Sequence, residues 1–202
     1  MLEDPVERSK EVVEDLAPDL AELYGVDLEV PDFKATRAGY ASLGTAMEYH
    51  RPREGEEDEP GTVKVREDVY WPKTSLTTTV GHELGHAALY QNSDFGELWR
   101  DEQYDDGVLR AISEGVAQHF ERTAYRSLGK ETFERFDVLE AARYTFRYTV
   151  KRGGQRVWDA TVARKYPDVY SEGRDLMTGM SREEVNEVLN DPEDFYQQIV
   201  ER

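Results

Sequence analysis

Two histidines and a glutamate at 82–86 have the spacing of a known kind of metal site. Residues 80–87 read Val-Gly-His-Glu-Leu-Gly-His-Ala and contain the pattern HExxH. On a helix, His82 and His86 project from nearly the same side, at the separation at which two imidazoles can bind one zinc ion. Glu83 flanks that side, where it can act as a general base without binding the metal. Composition predicts only about 0.01 chance matches in this chain, which disfavours the alternative of a helix with two surface or core histidines.

A zinc site of this kind needs a third protein ligand, and Glu114 is the best candidate. On a helical wheel its far side is apolar and its flanks are small, with Leu109, Ile112, Val116 and Phe120 opposite and Ala111, Gly115 and Ala117 alongside. The small residues would let this helix approach the first closely. His119 points about 140° away, toward the apolar side, and is predicted to be a core or rim histidine. His50 lies in the sequence before the helix that carries the HExxH motif. Acidic residues between the two helices remain alternative ligands: Asp94, Glu97, Glu102, Asp105 and Asp106.

The elements that position these residues are a small sheet and two long helices. Alternating apolar residues predict strands over 26–30, 45–50 and 62–70, the last two joined as a hairpin by the acidic segment 54–59. The metal helix is predicted over 75–90, with four apolar residues opposite the histidines: Leu76, Val80, Leu84 and Ala87. A polar loop over 92–107 leads to a second helix over 108–128, ended by Gly129.

The rest of the chain predicts further helices. Residues 1–25 predict a packing helix pair, with Pro18 expected to break or kink the run and Gly25 to end it. Helices are expected over 131–152 and 155–165, and Ser181 with Glu184 forms a capping-box pattern before a short helix. Asp191-Pro192 opens the last one. The predicted fold is α+β, predominantly helical, as one domain over 1–202. It comprises N-terminal packing helices (1–25), the sheet and metal-site helices (26–128) and a C-terminal helical part (129–202).

These motifs together resemble those of a known group of enzymes. HELGH followed by Ser-Glu-Gly-Val-Ala at 113–117 is similar to the gluzincins, zinc metallopeptidases with HExxH on one helix and a ligand glutamate on the next. The resemblance covers about 62–121 and implies a zincin-like domain with a small sheet packed on the HExxH helix. It implies Zn²⁺ bound by His82, His86 and Glu114, with Glu83 as the general base. It also implies that the strand directly before the metal helix, predicted over 62–70, forms the rim that pairs with an extended peptide substrate.

The chain departs from this family at two points. Thermolysin-like members commonly carry an acidic residue four positions after the ligand glutamate, where this chain has Gln118. Either Glu121, one turn further on, or Gln118 itself would then orient a metal-binding histidine. The donor that stabilises the oxyanion is not evident. Tyr144 and Tyr148 are candidates, although packing aromatics beside exposed arginines are the simpler interpretation.

Three functional hypotheses follow. The first is a zinc-dependent metallopeptidase acting on peptides or proteins through a water activated by the metal and Glu83. The second is a zinc-binding scaffold or regulatory module that keeps the fold and the metal without turnover, which Gln118 and the missing oxyanion donor motivate. The third is a protease that acts on a single partner protein.

Composition excludes other classes of function. The chain of 202 residues carries 43 acidic and 25 basic residues, a net charge of −18, which excludes nucleic-acid binding through a general basic face. Because there are no cysteines, a metal must rest on His, Asp and Glu. No segment approaches the length of an apolar membrane span, and the first residues lack a signal-peptide pattern. A soluble, cytoplasmic chain without a membrane partner is therefore expected.

The acidic surface leads to a salt-dependence prediction. Its composition resembles that of proteins from salt-loving archaea, and at molar salt the Debye length falls to about 3 Å, which screens the repulsion among excess negative charges. The thermal unfolding midpoint should therefore rise as KCl is raised toward molar levels. Equal stability in dilute buffer would contradict this reading and favour an acidic surface that recruits cationic peptides.

Overall fold

The computed structural model describes residues 4–36, 47–52, 60–66, 73–127 and 180–201. These residues form six helices and a three-stranded sheet, so the described part of the chain is mostly helical, as predicted. In chain order the elements are α1 (Pro5–Tyr24), β1 (Asp32–Thr36), β2 (Met47–His50), β3 (Thr62–Arg66), α2 (Lys73–Asn92), α3 (Phe95–Leu98), α4 (Asp106–Ser127), α5 (Arg182–Asn190) and α6 (Pro192–Val200). No described helix combines the length and apolar character that crossing a bilayer requires.

The described sheet has β3 at its centre, so the strand before α2 does not form its rim, contrary to what the resemblance implies. β1 pairs with β3 in parallel, beginning at Asp32 opposite Thr62, and β2 pairs with β3 antiparallel, with Tyr49 opposite Val63. The inward-facing side chains are buried: Phe33, Met47, Val63 and Val65. The predicted antiparallel pairing of the second and third strands is thus confirmed, while residues 53–59 and 67–70 lie outside the described part.

The first predicted strand, over 26–30, is wrong. This segment has no regular structure, and strand β1 begins at Asp32 instead. The side-chain amides at the end of α2 take the backbone groups that a neighbouring strand would use. Asn92 Oδ1 accepts from the Asp27 N–H at 2.9 Å and Gln91 Oε1 accepts from the Glu29 N–H at 3.0 Å. The alternation of apolar residues over 26–30 therefore belongs to a segment without regular structure that is hydrogen-bonded to the end of α2.

Helix α1 runs unbroken over Pro5–Tyr24, so the predicted break at Pro18, and with it the predicted helix pair, is also wrong. Pro18 and Glu14, whose carbonyl loses its helical partner, are both exposed, so water can satisfy that carbonyl. The buried stripe continues on both sides of the proline. The predicted end is confirmed, because Gly25 has φ 66° and its N–H donates to the Ala21 carbonyl. At that end the Tyr24 ring stacks on Phe120 at 4.2 Å and joins α1 to α4.

Helices α2 and α4 pack together more closely than side chains on both helices would allow. A Cβ built on Gly81 would lie 2.5 Å from the Ala124 Cβ, and one on Gly85 would lie 2.7 Å from the Ala117 Cα. The early part of α2 therefore meets the late part of α4, so the two helices run antiparallel. Leu76, Val80, Leu84 and Ala87 are buried, as predicted. The predicted close approach is confirmed, and α2 contributes its own glycines to it.

The segment between α2 and α4 is more ordered than the predicted loop over 92–107. It contains the short helix α3, whose Phe95 and Leu98 are buried. Near the C-terminus, the predicted capping box of Ser181 and Glu184 begins α5 and Pro192 begins α6. Residues 128–179, which include Gly129 and the helices predicted over 131–152 and 155–165, lie outside the described part.

The close contact between α2 and α4 predicts that Gly85→Ala destabilises the protein. The added methyl would overlap Ala117 and Phe120, and such overpacking typically costs about 1–3 kcal/mol of unfolding free energy. Denaturant unfolding of the variant measures this loss. Gly96→Ala is the matched control, because its Cβ would meet Tyr90 at an ordinary 3.6 Å. Equal stability of the two variants would contradict the tight contact.

Candidate metal centre

Three predicted ligands converge across the contact between α2 and α4. His82 and His86 lie one turn apart on α2 and Glu114 faces them from α4. His82 Nε2 lies 3.6 Å from Glu114 Oε2, and His86 Nε2 lies 3.9 Å from Glu114 Oε1. One ligand atom from each residue lies within 4.8 Å of the others. The histidine side chains are 12% and 15% exposed and that of Glu114 is 34% exposed, so the group is open to solvent on one side.

This donor set fits a divalent metal ion. Two ligand atoms at about 2.0 Å from a tetrahedral centre lie roughly 3.3 Å apart, so the two observed carboxylate–imidazole distances need only a small contraction. Two imidazole nitrogens with one carboxylate are a combination that zinc accepts. His82, His86 and Glu114 can therefore hold a metal ion.

A carboxylate on α4 contacts the outer nitrogen of the first histidine. Glu121 Oε2 lies 3.1 Å from His82 Nδ1, so Nδ1–H can donate to it while Nε2 faces Glu114. This contact was one of the two alternatives that the sequence left open. Gln118, the other alternative, makes no such contact to His82. A histidine oriented in this way presents its other nitrogen to the metal in a fixed direction.

The second histidine has a different partner, which sequence reasoning missed. Ser113 Oγ lies 3.0 Å from His86 Nδ1, and the Ser113 side chain also interacts with Tyr90. Tyr90 follows His86 by one helical turn, and burial raises its pKa. The available signals were the position of Ser113 directly before Glu114 and that of Tyr90 on the stripe of the two histidines. Neither residue type is distinctive enough in the sequence to identify the contact.

Glu83, the predicted general base, is buried and bound to the sheet. The residue is 5% exposed, and Glu83 Oε2 accepts a hydrogen bond from the Tyr49 N–H in β2 at 2.7 Å. β2 lies at one end of the described strand order, so this backbone N–H belongs to an edge strand of the described sheet. The sequence does not indicate this contact, because a backbone donor carries no residue signature.

The remaining histidines lie apart from this group. His119 Nδ1 is 2.8 Å from the Met180 carbonyl, its ring meets Tyr24 edge to face, and burial lowers its pKa. This agrees with the predicted packing role. His50 Nε2 lies 3.5 Å from Glu48 Oε2.

The acidic residues considered as alternative ligands also lie outside the group. Asp105 Oδ1 accepts from the Gly107 and Val108 N–H groups at the start of α4, and Glu97 pairs with Arg100. Among the described residues, the cluster suited to a metal contains none of Asp94, Glu97, Glu102, Asp105 and Asp106. Tyr144 and Tyr148 lie outside the described part of the chain.

Comparisons of the chain with protein-family models, with curated protein sequences and with solved structures give no match. The site is therefore characterised by its own geometry. It consists of three donors on two helices that can hold a metal ion, and the buried Glu83 follows His82 directly in the sequence.

The contact between Glu121 and His82 predicts a role for Glu121 in metal affinity. Removing a partner that orients a metal-bound histidine typically weakens metal binding by about 10–100-fold, so Glu121→Ala should raise the dissociation constant for Zn²⁺ by that factor. Competition with a chromophoric chelator measures it, and circular dichroism checks the fold. Gln118→Ala is the matched control and should bind zinc as the wild type does. An equal loss in both variants would show that Glu121 has no special role.

Proposed function

We propose that this chain is a zinc-dependent metallopeptidase with a zincin-like fold. The observation that carries the proposal is the convergence of His82, His86 and Glu114 within 4.8 Å. HExxH on α2 beside a glutamate on α4 has the organisation that the gluzincin resemblance implies. The outer contacts of the two histidines with Glu121 and Ser113 support it further, because such contacts are typical of metal ligands.

Each residue of the site has a separate role in this proposal. His82, His86 and Glu114 would hold the ion. A bound zinc lowers the pKa of water and polarises a carbonyl. A carboxylate oxygen of Glu83 takes a proton from the water, whose oxygen bonds to the carbonyl carbon of the peptide. Glu83 then delivers this proton to the amide nitrogen as the carbon–nitrogen bond breaks. The products are a carboxylic acid and an amine, and Glu83 returns to its ionised form.

The contact between Glu83 and β2 fits this role. The Tyr49 N–H binds Glu83 Oε2, and a carboxylate has about four acceptor positions, so this bond orients the group without using its full capacity. Because β2 is an edge strand of the described sheet, an extended peptide lying along it would run close to Glu83. We propose that substrate binds there, with its scissile carbonyl toward the two histidines.

The same contact supports a second candidate function. A glutamate held by the Tyr49 N–H is also compatible with a zinc-binding scaffold in which Glu83 links α2 to the sheet and performs no chemistry. The two functions differ in one respect, which is whether Glu83 is needed for turnover or only for structure.

The decisive variant is Glu83→Gln. The amide can still accept a hydrogen bond from the Tyr49 N–H but cannot take up a proton. The purified wild type should contain about one zinc per chain and cleave members of a peptide library. The variant should keep the metal and lose at least about 100-fold in the rate of cleavage. Mass spectrometry of the library and elemental analysis provide the measurements.

Glu22→Gln is the matched control, because Glu22 is exposed on α1, and it should retain full activity. A chelator should abolish cleavage by the wild type, and added Zn²⁺ should restore it. Full activity of Glu83→Gln would disprove the mechanism. Zinc binding without cleavage in the wild type would favour the scaffold.

A further inference from the structure

A cleft opens beside the candidate metal centre. It has a volume of about 860 Å³ and lies between the ends of β2 and α2, helix α3, and the junction of α5 and α6. Tyr90 lines it, and Tyr90 follows His86 by four residues on α2, a rise of about 6 Å. The cleft therefore begins about one helical turn from a metal ligand and is large enough to hold several residues of a peptide.

Most charged groups of the cleft are already engaged by the protein. Arg100 pairs with Glu97. Asp191 Oδ1 accepts from the Asp194 N–H, and Glu193 Oε1 accepts from the Tyr104 hydroxyl. Two charged side chains lining the cleft have no ion pair within the described residues, and these are Arg51 and Asp94.

The guanidinium of Arg51, an exposed residue, is oriented by two contacts. Its Nη1 donates to the Gly96 carbonyl at 3.1 Å, and its Cζ lies 5.8 Å from the centre of the Tyr90 ring. Arginine has five N–H donors in a planar fork, and the contact with Gly96 uses one. A carboxylate is the group that such a fork binds with two parallel hydrogen bonds. Arg51 is thus a preoriented cation without a carboxylate partner in the described part of the chain.

We propose that Arg51 anchors a carboxylate of the peptide substrate in this cleft. The inference rests on the proposed peptidase function and names its substrate class as peptides with a carboxylate a few residues from the scissile bond. An extended peptide advances about 3.3 Å per residue, so a short segment spans the path from His86 past Tyr90 to Arg51. The carboxylate is either the C-terminus of the substrate or an acidic side chain.

The surrounding charge sets the conditions of the test. A chain with a net charge of −18 repels anionic peptides at long range, and molar KCl screens this repulsion while leaving short contacts in place. Asp94 opposes a carboxylate inside the cleft. Asp94→Asn should therefore increase the preference that Arg51 creates.

The kinetic experiment uses the library peptide that the zinc-loaded wild type cleaves best. It is synthesised with a free or an amidated C-terminus, and with each acidic side chain replaced in turn by its amide. In molar KCl, kcat/KM should fall roughly fivefold or more for the version that lacks the anchored carboxylate, and this version identifies the source. Arg51→Gln should abolish the discrimination and Arg51→Lys should keep part of it. Arg100→Gln is the matched control and should discriminate as the wild type does. Lack of discrimination in the wild type, or its persistence in Arg51→Gln, would overturn the proposal.

A binding experiment separates this inference from the proposed function. Fluorescence anisotropy compares a labelled penta-alanine peptide as its free acid, as its amide, and as an amide with one internal glutamate, on the zinc-loaded wild type and on Arg51→Gln. Tighter binding of a carboxylate form that depends on Arg51 supports the anchor even if no peptide is cleaved. Equal binding of all three forms would refute it, whether or not cleavage occurs.

Discussion

The close antiparallel packing of α2 against α4 is the constraint on which the rest of the structure depends. Gly81 and Gly85 leave no side chain between the helices at the points where Ala124 and Ala117 approach. Dispersion forces and the burial of apolar surface stabilise the protein only when such surfaces meet without gaps. This contact sets the separation of the helices, which in turn sets the distance from the carboxylate of Glu114 to His82 and His86. Stability and site geometry are therefore linked through one interface.

The same interface places a different partner behind each histidine. Glu121 contacts His82 and Ser113 contacts His86, so one imidazole has a charged neighbour and the other a neutral hydroxyl. A carboxylate makes the imidazole a more basic ligand than a hydroxyl does. The two histidines consequently have unequal electronic environments although they come from one helix and one motif. Helix α4 thus supplies the candidate ligand Glu114 and both outer contacts, and a shift of α4 along α2 would disturb all three together.

The sheet and the cleft also lie next to the candidate metal centre. β2 contacts Glu83 through the Tyr49 N–H, and the residue after β2, Arg51, reaches over the ring of Tyr90 at the cleft. A short stretch of chain therefore contacts the proposed general base through Tyr49 and contains the proposed substrate anchor, Arg51. Side-chain amides of Gln91 and Asn92 bind the segment after α1 at the end of α2. The contact with Tyr49 thus joins β2 to the middle of α2, and the amide contacts join the segment before β1 to the end of α2.

The sequence by itself determined the local features, because their signals are local. Helix periodicity, the glycine at the end of α1, the capping box of Ser181 and the HExxH spacing all arise within a few residues of chain, and the structure has each of them. The apolar and small flanks of Glu114 were enough to select it as the third member of the group. The errors at Pro18 and at 26–30 arose because the structure of both segments depends on their surroundings. Pro18 faces solvent, and the segment 26–30 binds the side-chain amides of α2. The roles of Ser113, Tyr90 and the Tyr49 N–H were decided only by the tertiary structure, because common residue types and backbone groups acquire a function only when folding brings them within hydrogen-bonding distance of a distant partner.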